Sequence, residues 1–196
     1  MTELLSPEAP PAPHGAHHLA RYAWPALLST GIAALAAGFA LLALRDTGLA
    51  PAILGGYLIL SGIGQLPVPF ATHLGSSRVL ALLAADGYVI FGTLCLNKHL
   101  GTPALVALWA GLAMIIRGLT WQNATLMNKA MPVRGLQGLA GLAVLLSGDL
   151  ILGVRPDSPA GLSMIAGPVL ILTGALEAVT AIRLRSAAID PEEESR

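Results

Sequence analysis

Along the chain, long apolar stretches alternate with short polar breaks. A bilayer core about 30 Å thick takes about 20 mostly apolar residues of helix to cross. Six stretches approach or reach that length, at residues 23–44, 49–70, 78–96, 103–121, 135–154 and 160–182. The breaks between them are short, and several carry Gly or Pro: Gly48 with Pro51, Gly101 with Pro103, Pro156 with Pro159. Such breakers suit tight turns between antiparallel helices. The pattern predicts an all-α fold, an integral membrane bundle of six transmembrane helices.

The pattern also repeats. In the first, third and fifth spans a glycine falls at Gly38, Gly92 and Gly148. In the second, fourth and sixth, pairs spaced by seven fall at Gly55/Gly62, Gly111/Gly118 and Gly167/Gly174. The paired glycines recur every 56 residues, the single ones after 54 and then 56, so one two-residue length change relates three helical hairpins. Their bounds are about 22–72, 78–126 and 134–185. Seven residues is nearly two turns, which puts each pair on one helix face. In lipid, helices associate through close backbone approach at small residues, so these nine glycines are expected to be packing surfaces. Their faces are available to pack three hairpins internally or to meet another subunit.

Composition agrees with a membrane location. Of 196 residues 55% are hydrophobic and 11% charged, and the mean hydropathy is +0.71; a soluble domain carries about 25% charged residues. Net charge is zero and the basic residues are scattered, so no footprint for nucleic acid is present. A lone Cys95 in an apolar run excludes an intrachain disulfide and a cysteine metal cluster. Residues 1–21 form a polar stretch rich in Pro, His and Ala without the pattern of a secretory signal, and are expected to be a disordered cytoplasmic tail; residues 186–196 are expected to be an acidic one. His14, His17 and His18 lack nearby fixed ligands and are read as solvated, so neither a metal nor a cofactor is expected. Placing the ends in the cytoplasm puts Arg21, Arg78, Lys129, Arg134, Arg183, Arg185 and Arg196 there, against Arg45, Lys98 and Arg155 outside, as the positive-inside bias requires.

Three segments share the order glycine, apolar run, glycine, apolar pair, acidic or amide residue: GGYLILSGIGQL (55–66), GLAMIIRGLTWQ (111–122) and GPVLILTGALEAVTAIRLR (167–185). Over residues 22–185 the chain resembles the HdeD family of bacterial acid-resistance membrane proteins, which are built from repeated two-helix units. The resemblance implies a multi-pass inner-membrane protein connected with acid or envelope stress, and it supplies no catalytic residues. The middle copy departs from its sisters by placing Arg117 where they have Ser61 and Thr173.

Four ionisable residues fall within the spans: Asp86, Arg117, Asp149 and Glu177. Charges in a membrane are costly and usually pair or line a wet cavity. At about 1.5 Å of rise per residue, Asp86 lies about 12 Å, Arg117 about 6 Å and Glu177 about 8 Å from the cytoplasmic ends of their spans. Gln65 shares that layer. These four residues are expected to form a buried polar cluster in which Arg117 pairs one or both acids. The alternative is that Arg117 snorkels past Trp121 to the interface. Asp149, near the outer end of its span, is expected to pair with Arg155 at the surface. Ser61, Ser147 and Thr173 are read as hydroxyls bonding back to helix carbonyls.

Function follows from these features as an expectation. Packed helices with short loops suit a non-enzymatic role in stress tolerance, with the lipid bilayer as the partner and a homo-oligomer or other membrane proteins left open. A small proton or solute transporter or channel using the Asp/Glu/Arg cluster is the alternative, weakened by a threefold rather than paired repeat. No zinc motif or serine nucleophile with a base partner occurs in the spans, so no enzyme is expected.

Overall fold

The computed structural model describes residues 15–66, 75–97, 99, 102–127, 134–154 and 156–189. Within them the chain forms six α-helices: α1 (Gly15–Ala43), α2 (Ala50–Gln65), α3 (Gly75–Leu96), α4 (Pro103–Met127), α5 (Arg134–Val154) and α6 (Pro159–Ile189). No strand occurs among the described residues. Helices α1, α4, α5 and α6 contain segments long and apolar enough to cross a membrane; α2 and Leu82–Leu96 of α3 are shorter apolar helices. The bundle is therefore all-α and built for a membrane.

Several boundaries differ from the hydropathy reading. Helix α1 begins at Gly15, so residues 15–21 of the expected disordered tail are helical, and α6 continues to Ile189 past the expected limit at 185. Backbone hydrogen bonds propagate a helix beyond its apolar part when the following residues are good helix formers, as the Arg, Leu and Ala residues after Ile182 are. Residues 1–14 and 190–196 lie outside the described residues, as does His14. Helix α2 stops at Gln65 rather than 70. Its last turn tightens, with the Leu66 N–H donating to Ile63 O at 3.2 Å, and Pro67 has no N–H with which to continue. Between α1 and α2 a 3₁₀ turn, Arg45–Thr47, ends at Gly48, whose φ of 74° is a conformation that favours glycine.

Three antiparallel pairs make up the bundle: α1 with α6, α2 with α3, and α4 with α5, while α2, α4 and α6 touch one another at the centre. Glycines set each pair. A methyl group added at Gly38 would lie 2.8 Å from Gly167 O, one at Gly92 2.7 Å from Gly55 O, and one at Gly148 2.6 Å from Gly111 O. One turn-pair along, Gly174 meets Gly31, Gly62 meets Ala85, and Gly118 meets Leu145. All nine glycines singled out by spacing thus face another helix of the same chain. None of these contacts joins the two helices of one hairpin; each joins an even-numbered helix to the next odd one, and α6 closes onto α1.

The outward faces are apolar, with Phe39, Leu60, Leu83, Leu119 and Leu172 well exposed. In lipid such surface needs no further cover. Small residues fill the interior, including Ala34, Ala84, Ala110, Ala113 and Ala166, which lets the helices approach closely enough to enclose the side chain at the centre.

Candidate functional site

Among the described residues Arg117 is the largest fully buried side chain, 1% exposed. It sits on the inner face of α4 in line with Ala110, Ala113 and Met114. Helix α4 runs six residues past the expected end at Trp121, through Met127. Arg117 is therefore about 21 Å from the start of the helix and about 15 Å from its end by the rise per residue. From there its head turns inward, not out to an interface as snorkelling would require.

The partner is Glu177 of α6, also 1% exposed, with Oε1 2.7 Å from Arg117 Nη2. Thr30 of α1 closes a triangle. Its hydroxyl donates to Glu177 Oε2 at 3.0 Å and accepts from Arg117 Nη2 at 3.1 Å. One charged hydrogen-bonded unit thus ties α4, α6 and α1 together away from solvent. Such a unit is costly to bury, and removing one member leaves the other charge uncompensated. Aromatic rings flank the guanidinium: its Cζ lies 5.3 Å from the Trp121 ring centre and 5.8 Å from that of Tyr88 on α3. Both are within cation–π range.

The centre is incompletely satisfied. Arg117 Nε and Nη1, the Ser61 hydroxyl on α2 and the Tyr88 hydroxyl are buried and make no hydrogen bond of good geometry, although the Tyr88 hydroxyl lies close enough to Arg117, and the Tyr57 hydroxyl to Ser61, for a looser one. Tyr88 stands near enough to interact electrostatically with Arg117, and Tyr57 of α2 with Arg117 and Glu177. Two further buried groups without a partner, Trp109 Nε1 and Ser163 Oγ, lie toward the opposite ends of α4 and α6.

Of the residues expected in the cluster, the structure brings Arg117 and Glu177 together and leaves the other two aside. Asp86 is exposed, on the outward face of α3 with Val79, Leu83 and Ile90. Gln65 is half-buried and donates to its own helix at Ser61 O, 2.8 Å. Asp149 is exposed near the end of α5, and Arg155 lies outside the described residues. Ser147 and Thr173 bond back to the carbonyls of Ala143 and Val169, at 2.6 and 3.0 Å. Ser61 makes no such bond. The Tyr57 hydroxyl, one turn earlier on α2, is its near polar neighbour.

Thr30, Tyr57, Tyr88 and Ser61 were not picked out by the search for charges. The available signal was modest: Thr30 is polar where the matching positions of α3 and α5 hold Ala84 and Ala140. Among the described residues no group of three or more His, Cys, Asp or Glu could hold a metal ion. Comparisons with family models, curated proteins and solved structures gave no match.

Proposed function

We propose that this chain is a multi-pass bacterial inner-membrane protein of the HdeD type, with both termini in the cytoplasm, serving acid or envelope stress tolerance without catalysis. One observation carries the reading: the glycines that set the three helix pairs, Gly38/Gly167, Gly55/Gly92 and Gly111/Gly148, recur at sequence intervals of 54 or 56 residues. Burial supports it independently. The triplet Gly38, Gly92 and Gly148 is buried, as are Leu41, Cys95 and Ile151; Ile32, Asp86 and Leu142 at their matching positions are all exposed. Three hairpins linked in a ring around an ion pair make a rigid, densely packed membrane body. A role through bilayer properties or contacts with other membrane proteins needs nothing more.

The decisive experiment is a deletion strain challenged with acid and with an envelope-damaging detergent. Reduced survival, restored by the intact gene, is the expected result; survival equal to the parent under both stresses would overturn the role. Reporter fusions at the two ends are expected to report the cytoplasm, and an external signal from either would overturn the orientation.

A second reading, a small proton or solute transporter or channel, is favoured by the charged and polar side chains at the bundle centre. Proteoliposomes loaded with a pH dye separate the two. Proton flux abolished by Glu177→Gln would favour transport, and flux no greater than in empty vesicles would remove it.

A further inference from the structure

Helix α3 presents one continuous outward stripe. Val79, Leu83, Asp86, Ile90, Thr93 and Asn97, spaced by four and three in turn, are all exposed. Such spacing is the seam along which one helix packs lengthwise on another. Two of its polar residues are satisfied within the chain: the Thr93 hydroxyl donates to Val89 O at 2.8 Å, and Asn97 Oδ1 accepts from the His99 N–H at 2.9 Å. Asp86 has no ion pair or hydrogen bond among the described residues.

Depth makes that position costly. Asp86 lies about 16 Å from the start of α3 and about 15 Å from its end by the rise per residue. Tyr88, two residues on, has its ring centre 5.8 Å from Arg117 Cζ, so the outward carboxylate shares the layer of the buried ion pair. A short side chain at that level has no route to water, and a carboxylate within a bilayer ordinarily meets a partner. The fold does not ask for it, since the matching positions of the other two repeats hold Ile32 and Leu142, both exposed and apolar.

A second copy offers no cation at this level. Among the described residues its outward Arg and Lys side chains are Arg45, in the turn after α1, and Arg183 and Arg185, about 9 and 12 Å beyond Glu177 on α6 by the rise per residue. Across a two-fold axis Asp86 would face Asp86, carboxylate against carboxylate. We propose that the outward stripe of α3 docks a transmembrane helix of a different protein, one that carries a Lys or Arg near the middle of its span and pairs it with Asp86. The proposal rests on the membrane reading of the bundle but requires neither a stress role nor flux. Alkaline extraction checks that reading separately: a chain released from membranes would overturn it, whereas a retained chain that ignores a cationic helix overturns the partner alone.

The probe is a synthetic leucine–alanine transmembrane helix with one central Lys and an acceptor dye, mixed in proteoliposomes with the full chain carrying a donor dye at its amino end. Half-maximal energy transfer is expected at an about tenfold lower peptide fraction than for the same helix with Leu at its centre. Asp86→Leu is expected to erase the difference, and Asp149→Leu, whose carboxylate is outward on α5, to keep it. Equal binding of the two helices would overturn the proposal, as would a preference that survives Asp86→Leu or disappears with Asp149→Leu. Saturable transfer between donor- and acceptor-labelled copies of the chain, lost in Asp86→Leu, would make the occupant a second copy and overturn it too. Should Asp86→Leu fail to fold, the intact chain decides by host charge: a central Glu must bind no better than a central Leu, and equal preference for Lys and Glu sinks the pairing.

Discussion

Removing the Glu177 carboxylate leaves Arg117 buried beside Thr30 and Tyr88, neither of which carries a counter-charge. An uncompensated interior charge of this kind costs about 3–5 kcal/mol. Glu177→Ala is accordingly expected to lower the midpoint of unfolding in graded SDS sharply. The joint replacement Arg117→Met/Glu177→Leu is expected to recover most of that loss, since apolar residues of similar volume often replace a buried pair without penalty. A joint variant as weak as the single one would contradict this account. Asp86→Leu is expected to leave the midpoint unchanged or to raise it, because the carboxylate faces outward among Val79, Leu83 and Ile90. A fall matching that of Glu177→Ala would put Asp86 back inside the bundle. Depth along a span was readable from the rise per residue, and it placed Glu177 and Arg117 in one layer. Direction was not. In a membrane both the packed face and the lipid face of α3 are apolar, so hydrophobic patterning could not say which one carried Asp86.

The helices follow the apolar stretches closely, and the glycines fall on contact faces as their spacing of seven predicts. What spacing could not reveal was the partner of each face. The other helix of the hairpin and the next helix along are both antiparallel neighbours, and a glycine stripe fits either. Close approach makes these positions intolerant of size. Gly148→Val would drive its side chain into Gly111 O and the Ile115 backbone, and is expected to part α4 from α5 and lower the midpoint by several degrees. Gly56 offers the contrast, with nothing within 4 Å of an added Cβ. Gly56→Ala is expected to stabilise the protein by about 0.5–1 kcal/mol through helix propensity alone. If both substitutions behaved alike, the helix pairing described for α4 and α5 would be in error. The early end of α2 was also legible in principle, from Pro67 and Pro69 immediately after it.

At the scale of the whole molecule, α1 and α6 lie antiparallel, and the N-terminal part of α1 meets the C-terminal part of α6, with Arg185 Cζ 5.2 Å from the Trp24 ring centre. Joining the two termini through a short linker and opening the chain between α4 and α5 is expected to yield a folded protein with an unfolding midpoint close to the original. Aggregation of that permutant in every detergent tried would show that the ends are not neighbours. The same closure bears on how the protein is made. Helix α1 leaves the ribosome before α6, yet its glycines Gly31 and Gly38 and its Thr30 hydroxyl are completed only by α6, the last of these six helices. Until then Arg117 is already in the membrane without its carboxylate. A chain halted before α6 therefore leaves that cation without its counter-charge, and pulse-chase labelling of a chain truncated at 158 is expected to show faster turnover than the intact chain.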